Sequence, residues 1–314
     1  MKLVRDLLKN LWKEQFVYIV LVVIMLVFGM INPRFFTLEN FAIIGRQTAI
    51  VAVVAFGMTF VLTSHNIDLS VGSIVGLVVM ISTMSLEAGA GILLASMAGI
   101  GAGLLVGFFN GLVTIQFGIP SFLVTLGTMG IARGIAMAVT NNMVVVVYDK
   151  KFTAFWGAGT LGGFPTVIVL MLVFFLLAYF VYHHTPYGNY IKATGDNAVA
   201  ARYSGVSTKK IVLSVMVINA LFASCAGLMM VARINAGRPE VGNDLPMDAI
   251  SAVILGGTSL HGGRGSILRT LTGAFIIGMI TNALIIFGFD YSLQMVVRGL
   301  IIITAVVLTE RNKK

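Results

Sequence analysis

Long apolar runs dominate this chain and decide what it can fold into. A helix needs about 20 apolar residues to cross the ~30 Å hydrocarbon core of a bilayer. Ten runs approach that length, at positions 16–31, 43–63, 70–86, 91–115, 121–140, 165–182, 211–233, 248–259, 266–288 and 290–309. They predict an all-α fold, a polytopic membrane helical bundle of about ten transmembrane segments, with eight to ten full crossings. Because the run at 248–259 is short, some short or broken helices are expected.

The composition indicates that lipid surrounds the chain. Hydrophobic residues make up 58% of the 314 positions and charged residues only 11%, and the mean hydropathy is +0.98. A soluble domain carries about 25% charged residues, so this chain lacks the charge for a water-facing surface. The net charge of +9 comes from short basic clusters between apolar runs. Since no helix face is basic throughout, nucleic acid is not an expected partner.

The basic clusters also predict how the chain is oriented, because Lys and Arg are enriched in cytoplasmic loops. With ten crossings, both termini and the loop after His184 fall on the same side, the cytoplasm. Residues 141–164 then face outward. The first run is interpreted as an uncleaved span, since Asn32-Pro33-Arg34 follows it in place of a small-x-small cleavage site. The clustered residues are Lys2, Arg5, Lys9, Lys13, Lys192, Arg202, Lys209, Lys210, Arg311, Lys313 and Lys314.

The chain is expected to be one transmembrane domain over residues 1–314. Its longest hydrophilic stretch, about 183–210, is too short to form a soluble domain. Within it, residues 186–210 contain a short helix-compatible stretch that Gly205 closes. Such a segment can fit a groove of another protein, although an ordinary basic loop has the same composition.

Glycines recur at every fourth position of the fourth run. This spacing removes side chains from one helix face and lets a neighbouring backbone approach closely. Helix packing is the favoured interpretation, and a wall of a translocation path is the alternative. The residues are Gly99, Gly103, Gly107 and Gly111.

A few polar residues lie inside or beside the apolar runs and are candidates for the translocation path. A carboxylate in the middle of a bilayer costs about 2.5–3.5 kcal/mol, so Asp68 should be paired, should cap the next helix, or should lie near water. Arg133 is expected to form an ion pair, for which Asp68 is a partner, rather than to contact substrate. The candidates are Asn66, Asp68, Ser70, Asn110 and Arg133.

No motif predicts catalysis, a metal site or a cofactor of the chain's own. The glycine-rich segment 255–266 lacks the order of a nucleotide-binding P-loop. The four histidines lack metal-ligand spacing, and the single Cys225 excludes an intrachain disulfide. The chain is therefore expected not to be an enzyme.

Two other classes of function remain open at this point. An ion-coupled secondary transporter of a small polar solute would need several ionisable groups near broken helices. Asp68 and Arg133 are only two such groups, which is few for a relay of protons or sodium ions. A membrane enzyme acting on a lipid-linked sugar would need interfacial carboxylates. Asp149 and Asp244 are candidates for that role, with nothing further to support them.

Several motifs, taken together and in order, resemble a known family. They are Pro33-Arg34-Phe35-Phe36-Thr37 with Asn40, Gly57-Met58-Thr59, Asn66-Ile67-Asp68-Leu69-Ser70-Val71-Gly72-Ser73, Gly195-Asp196-Asn197 with Ala200, Ala201, Ser204 and Gly205, and Asp248-Ala249-Ile250 leading into Leu255-Gly256-Gly257-Thr258-Ser259-Leu260. The chain resembles the permease subunits of bacterial ATP-binding-cassette importers for ribose and related monosaccharides, and more distantly the branched-chain amino-acid permeases.

The resemblance implies a multi-pass permease in the bacterial inner membrane that forms the path for a small sugar. It implies three protein partners: a second permease copy, identical or a close paralogue; the ATPase subunits, which use the ATP; and an external substrate-binding protein. It also implies that residues 186–210 form a cytoplasmic coupling loop, which docks on the ATPase. The residues expected to carry this contact are Gly195, Asp196, Asn197, Ala200, Ala201 and Gly205.

Overall fold

A computed structural model describes the backbone of residues 2–311 and the side chains of residues 15–301, 303, 304 and 307. The terminal basic clusters that orient the chain therefore lie outside the described side chains. Thirteen α-helices occupy the described backbone: α1 Lys2–Ile31, α2 Leu38–Thr63, α3 Val71–Glu87, α4 Ile92–Phe117, α5 Ser121–Ala138, α6 Lys150–Thr153, α7 Thr166–His184, α8 Pro186–Asp196, α9 Ala198–Tyr203, α10 Thr208–Ile234, α11 Leu245–Leu255, α12 Ile267–Ile286 and α13 Tyr291–Arg311.

Each of the ten predicted runs coincides with a helix, so the all-α prediction is confirmed. Within the described residues, six helices are long and apolar enough to cross a membrane: α2, α4, α5, α7, α10 and α12. Shorter apolar helices are Gln15–Ile31 within α1, and the whole of α3 and α11. The count of ten segments and the side on which the termini lie stay predictions.

Two very short antiparallel strand pairs accompany the helices. Strand β1 (Val145–Val146) pairs with β4 (Ala236–Gly237). Strand β2 (Thr160–Leu161) pairs with β3 (Phe164–Pro165). The first pair is the more informative, because it joins the chain that follows α5 to the chain that follows α10.

The bundle has two distinct ends, which α10 connects. Helices α8 and α9 immediately precede α10 and mark one of them, the α8–α9 end. There the amide of Gly263 donates to the carbonyl of Thr63 at 2.9 Å, and Gly195 packs against the same carbonyl. Strands β1 and β4 mark the opposite end, the β1–β4 end, since β4 follows α10.

Two of the short helices begin inside the bundle. After α2 ends, residues 64–70 turn back and α3 starts; after α10 ends, residues 235–244 turn back and α11 starts. The two starts meet, because a Cβ on Gly72 would overlap the carbonyl of Gly242 and lie 2.9 Å from Cδ of Pro246. From there α3 runs towards the β1–β4 end, where Thr83 packs on Gly237. Helix α11 runs towards the α8–α9 end.

The core surrounds α2 and α10, and the outer helices cover it. Nearly every residue of α2 from Thr48 to Thr63 is buried, whereas α4, α5 and α7 each expose large apolar side chains. Examples are Leu105, Ile131 and Leu176, each at least 60% exposed. An apolar exterior around a small-residue core is the arrangement expected of helices whose outer faces meet lipid.

Candidate functional site

A buried polar network surrounds the start of α3. The side chain of Asp68 is fully buried, and its Oδ1 accepts from the backbone amide of Ser70 at 2.8 Å and from the Ser70 hydroxyl at 2.6 Å. Its Oδ2 accepts from Nδ2 of Asn219 on α10 at 2.8 Å. Both oxygens are thus occupied. The carboxyl group also lies at the N-terminus of α3, where the helix dipole favours negative charge.

The network continues onto α4 and α5. Nδ2 of Asn110 donates to the Ser70 hydroxyl at 2.8 Å, and Oδ1 of Asn110 accepts from the Thr128 hydroxyl at 2.7 Å. Polar groups between helices must bond to one another inside the protein, because lipid offers them no hydrogen-bonding partner. Asp68 and Ser70, which belong to one sequence motif, are therefore connected to Asn110, which lies 40 residues further along the chain.

The turn that precedes α3 is fastened to α5 through its backbone. The amide of Ile67 donates to Oγ of Ser121 at 3.0 Å, and the amide of Leu69 donates to Oγ1 of Thr125 at 3.1 Å. Asn66, the remaining candidate here, bonds locally, with Nδ2 donating to the carbonyl and hydroxyl of Ser64. The two contacts with α5 satisfy two backbone amides of the turn inside the bundle.

Arg133 on α5 holds the two internal helix starts together. Its Nη1 donates to the carbonyls of Pro239 and Val241, the latter at 3.1 Å. Its Nη2 donates to the carbonyl of Gly72 at 3.0 Å. One guanidinium thus joins the turn before α11 to the first residues of α3.

Asp68 and Arg133 were predicted to form an ion pair, and that prediction is wrong. The oxygens of Asp68 accept from Ser70 and Asn219, while the guanidinium of Arg133 donates to backbone carbonyls. The physical reason is that amide, hydroxyl and carbonyl dipoles lie within hydrogen-bonding distance of each charged group. Broken helices leave carbonyl and amide groups free of intrahelical bonds, and these groups solvate the two side chains separately.

The glycine stripe of α4 lies against α3 and α10. A Cβ on Gly99 would stand 3.1 Å from Cγ1 of Val78, and one on Gly103 would overlap the hydroxyl of Ser224. A Cβ on Gly107 would overlap that of Ala220, and one on Gly111 would lie 3.0 Å from Cα of Leu213. The four positions therefore allow close backbone approach.

Residues 186–210, which are predicted to form the coupling loop, consist of α8, α9 and the turn that leads into α10. Asn197 begins α9, and its Oδ1 accepts from the amides of Val199 and Ala200 at 3.0 and 2.9 Å. Gly205 follows α9 with φ of +86°, a backbone conformation that favours glycine. Of the residues selected from the sequence, Gly195 and Ala201 are buried, whereas Asp196, Asn197, Ala200 and Gly205 are exposed.

Sequence reasoning missed the most exposed apolar side chains of this loop. On α9, Tyr203 is 91% exposed and Val199 is 57% exposed. They are four residues apart and so share one face of the helix. The spacing was visible in the sequence, but exposure depends on which face α8 and α10 cover.

Sequence reasoning also missed a polar cavity of about 430 Å³. It lies between α2, α10, α11, α12 and α13, and Tyr291 and Asp244 mark its exposed rim. Two arginines and three carboxylates line it: Arg233, Arg298, Glu240, Asp244 and Asp248. Among the residues that the structure describes, no cluster of three His, Cys, Asp or Glu has the arrangement of a metal site.

The apolar exterior and the buried, hydrogen-bonded polar network define a polytopic integral membrane protein. Residues 40–306 match the family described as the permease component of the branched-chain amino acid transport system. The chain belongs to this family of permeases.

Individual members of the family show how far the similarity extends. The chain is 38% identical over 306 residues to the ribose import permease protein of Escherichia coli K12, which covers 96% of this chain and 94% of that protein. It is 33% identical to the Bacillus subtilis ribose import permease protein, over 93% of this chain and 91% of that one. To the D-allose transport system permease protein of Escherichia coli K12 it is 33% identical, over 95% and 91%. No solved structure matches the chain.

Proposed function

We propose that the chain is the permease subunit of an ATP-binding-cassette importer and forms the translocation path for a small sugar of the ribose or monosaccharide class. One observation carries the choice of substrate class. Relatives named for ribose and D-allose match this chain over at least nine tenths of its length. The internal helix starts support a transport role, since discontinuous helices provide polar groups at membrane depth.

The partners follow from what the chain offers at its two ends. The α8–α9 end presents the exposed faces of α9 to an ATPase subunit, which hydrolyses the ATP, so the permease needs no cofactor of its own. The opposite end receives sugar from an external substrate-binding protein. A second permease copy, identical or a close paralogue, completes the path.

The α8–α9 end is assigned to the cytoplasm of a bacterial inner membrane. Lys192, Arg202, Lys209 and Lys210 all lie in or beside α8 and α9, and cytoplasmic loops are enriched in such residues. With ten crossings, both termini share that side. Asp68, Ser70, Asn110 and Arg133 then hold the turn and helix starts that border the path inside the membrane.

Transport by the complete importer tests the proposal. The permease, the ATPase and a binding protein loaded with D-ribose are combined in proteoliposomes, and uptake of labelled sugar is measured with ATP on the ATPase side. We expect ATP-dependent accumulation of D-ribose. L-leucine, presented on its own binding protein, serves as the comparison. Accumulation of leucine without ribose would overturn the assignment of a sugar substrate, while the assignment as an importer subunit would stand.

A further inference from the structure

Basic side chains from three helices meet at the α8–α9 end, at the corner where α7 ends and α12 begins. Lys192, His184 and Arg269 all lie within electrostatic range of the His183 ring. The two imidazoles are exposed, and Lys192 and Arg269 are half-buried, so all four groups are accessible from outside the protein. These four residues form the α7–α12 basic corner: His183 and His184 on α7, Lys192 on α8 and Arg269 on α12.

A buried tyrosine of α7, Tyr182, positions two of these groups. Its side chain is fully buried, and its hydroxyl is hydrogen-bonded to Oγ1 of Thr63 at 3.0 Å. Nζ of Lys192 lies 4.8 Å from the centre of the Tyr182 ring, and the centre of the His183 ring lies 4.9 Å from it. Because an aromatic face attracts a cation, the ammonium and the imidazole are both held against one buried ring.

No carboxylate of the described side chains neutralises the α7–α12 basic corner. Within that part of the chain, ion pairs between a basic side chain and a carboxylate involve Arg298 alone. Asp196 lies one turn after Lys192 on α8, but its Oδ1 lies beside Gly263, where a Cβ would stand 3.0 Å from it. Positive charges at close range repel one another, so an anion from outside the protein stabilises this arrangement.

The corner continues an exposed apolar face of α7, a helix long enough to cross a membrane. Leu172, Leu176 and Phe180 are all exposed. They recur at every fourth position and so share one face of the helix, and His184 is the next residue in this series. The ring of Phe180 stacks on that of His184, with 6.2 Å between the ring centres. The basic groups therefore stand at the end of an apolar strip.

We propose that the α7–α12 basic corner binds an anionic phospholipid of the leaflet at the α8–α9 end, which is the cytoplasmic leaflet under the proposed orientation. The phosphate lies against Lys192, Arg269 and His183, and an acyl chain lies along Leu176 and Phe180. Basic pockets between membrane-spanning helices bind anionic head groups in this way. The site is separate from the sugar path and does not depend on which substrate the importer carries.

The two parts of the site select among ligands that carry phosphate. Phosphatidylcholine brings a quaternary amine, which the basic groups repel. Inorganic phosphate gains the attraction of the cations but leaves the apolar face of α7 uncovered. Phosphatidylglycerol has a phosphate, no amine and two acyl chains, so it matches both the charge of the corner and the apolar strip beside it.

Retention of lipid by the purified full-length permease tests the site. Phosphatidylglycerol is titrated into the permease in micelles of a neutral detergent, and bound lipids are counted by native mass spectrometry. Each cation near an anionic surface contributes about fivefold in affinity. Lys192→Gln combined with Arg269→Gln should therefore weaken the tightest binding about 25-fold. Arg202→Gln combined with Lys209→Gln is the matched control, because it removes one arginine and one lysine at the same end. Equal retention by the two double variants would overturn the proposal.

Quenching by brominated acyl chains locates the lipid without altering the basic residues. Leu176→Trp is introduced into a chain whose own tryptophans are removed by Trp12→Phe and Trp156→Phe. The permease is then placed in bilayers in which either phosphatidylglycerol or phosphatidylcholine carries the bromine. We expect quenching that corresponds to an enrichment of phosphatidylglycerol of about fivefold at Leu176→Trp. Leu105→Trp on α4, also at an exposed position, should be quenched equally by the two lipids at equal mole fraction. Equal quenching by the two lipids at position 176 would overturn the proposal.

Inorganic phosphate distinguishes a lipid from a free phosphate at the corner. Added in excess, it should leave the quenching at Leu176→Trp by brominated phosphatidylglycerol unchanged, and sodium chloride of equal ionic strength is the control for screening. Displacement of the lipid by phosphate but not by chloride would overturn a lipid occupant. Unchanged lipid retention by Lys192→Gln with Arg269→Gln, together with loss of ATPase copurification, would assign the corner to the ATPase and also overturn the proposal.

Discussion

At the scale of single residues, the buried polar groups solve a problem set by the bilayer. A carboxyl and a guanidinium inside the membrane must be neutralised or solvated. Here the amide and hydroxyl groups of Ser70 and Asn219 solvate Asp68, and three backbone carbonyls solvate Arg133. The sequence identified both residues as costly but not their partners, because these come from turns whose path only the tertiary structure defines.

The bond between Asp68 and Asn219 predicts a rescue by exchange. Asp68→Asn places an amide NH₂ group opposite a donor of Ser70 or Asn219, so that two donors face each other. We expect a loss of roughly 1–3 kcal/mol of stability. Adding Asn219→Asp restores a donor opposite an acceptor and should recover most of the loss. The midpoint of thermal unfolding in detergent measures both. A double variant no more stable than Asp68→Asn would contradict this reading of the network.

Arg133 predicts that lysine is a poor replacement at its position. A guanidinium donates from two nitrogens in fixed directions, whereas an ammonium is a single point charge. Arg133→Lys should therefore lose contact with either Gly72 or the Pro239–Val241 turn and lower the thermal midpoint. Arg202→Lys on exposed α9 is the control, and its midpoint should stay unchanged. Equal midpoints for the two variants would show that charge alone suffices at position 133.

At the scale of elements, the length of the apolar runs predicted the helices well, but it predicted less well the points at which a helix ends inside the bundle. All ten runs became helices, yet the starts of α3 and α11 meet inside the bundle, which no single run could show. The polar stretch at 66–70 indicated the first break. The second lies among glycines and charges, 235–244, that resemble an ordinary surface loop. Local pattern does not distinguish a loop in water from one that re-enters the bundle.

The glycine stripe predicts opposite effects at two positions of the same helix. On α4, a Cβ at position 107 would overlap Ala220 and lie 2.9 Å from the carbonyl of Met216, whereas one at position 101 meets nothing within 4 Å. Gly107→Ala should cost about 1–3 kcal/mol through overpacking. Gly101→Ala should be neutral or stabilise by about 0.4–1 kcal/mol. Thermal midpoints compare them, and equal losses would contradict the packing.

The exposed face of α9 predicts a contact with the ATPase. Tyr203 is 91% exposed, and an exposed aromatic ring is a frequent anchor of protein interfaces. Tyr203→Ala should weaken copurification of the ATPase and lower its transport-coupled hydrolysis, with the permease still folded. Tyr148→Ala is the matched control, because Tyr148 is 86% exposed but precedes α6 at the opposite end. Equal loss of the ATPase in both variants would contradict docking at α9.

At the scale of the whole molecule, the sequence predicted the class of protein better than its site. Hydropathy and charge indicated a membrane bundle, and motifs spread over most of the chain indicated the family. The cavity escaped notice because its lining comes from five helices between Gln47 and Arg298. No window of sequence contains those residues together, and only packing brings them to one wall.

The energy source of transport is a property of the whole molecule. The chain lacks a P-loop motif, and in the described structure Asp68 and Arg133 belong to separate networks rather than to one relay. A path without its own coupling site cannot favour one access state over the other, so the bias must come from partners that bind one state better. In liposomes, the permease alone should carry no sugar under a proton gradient, a sodium gradient or internal ATP. Adding the ATPase and loaded binding protein should start uptake that vanadate stops, whereas ion-driven uptake by the lone chain would identify it as a secondary transporter.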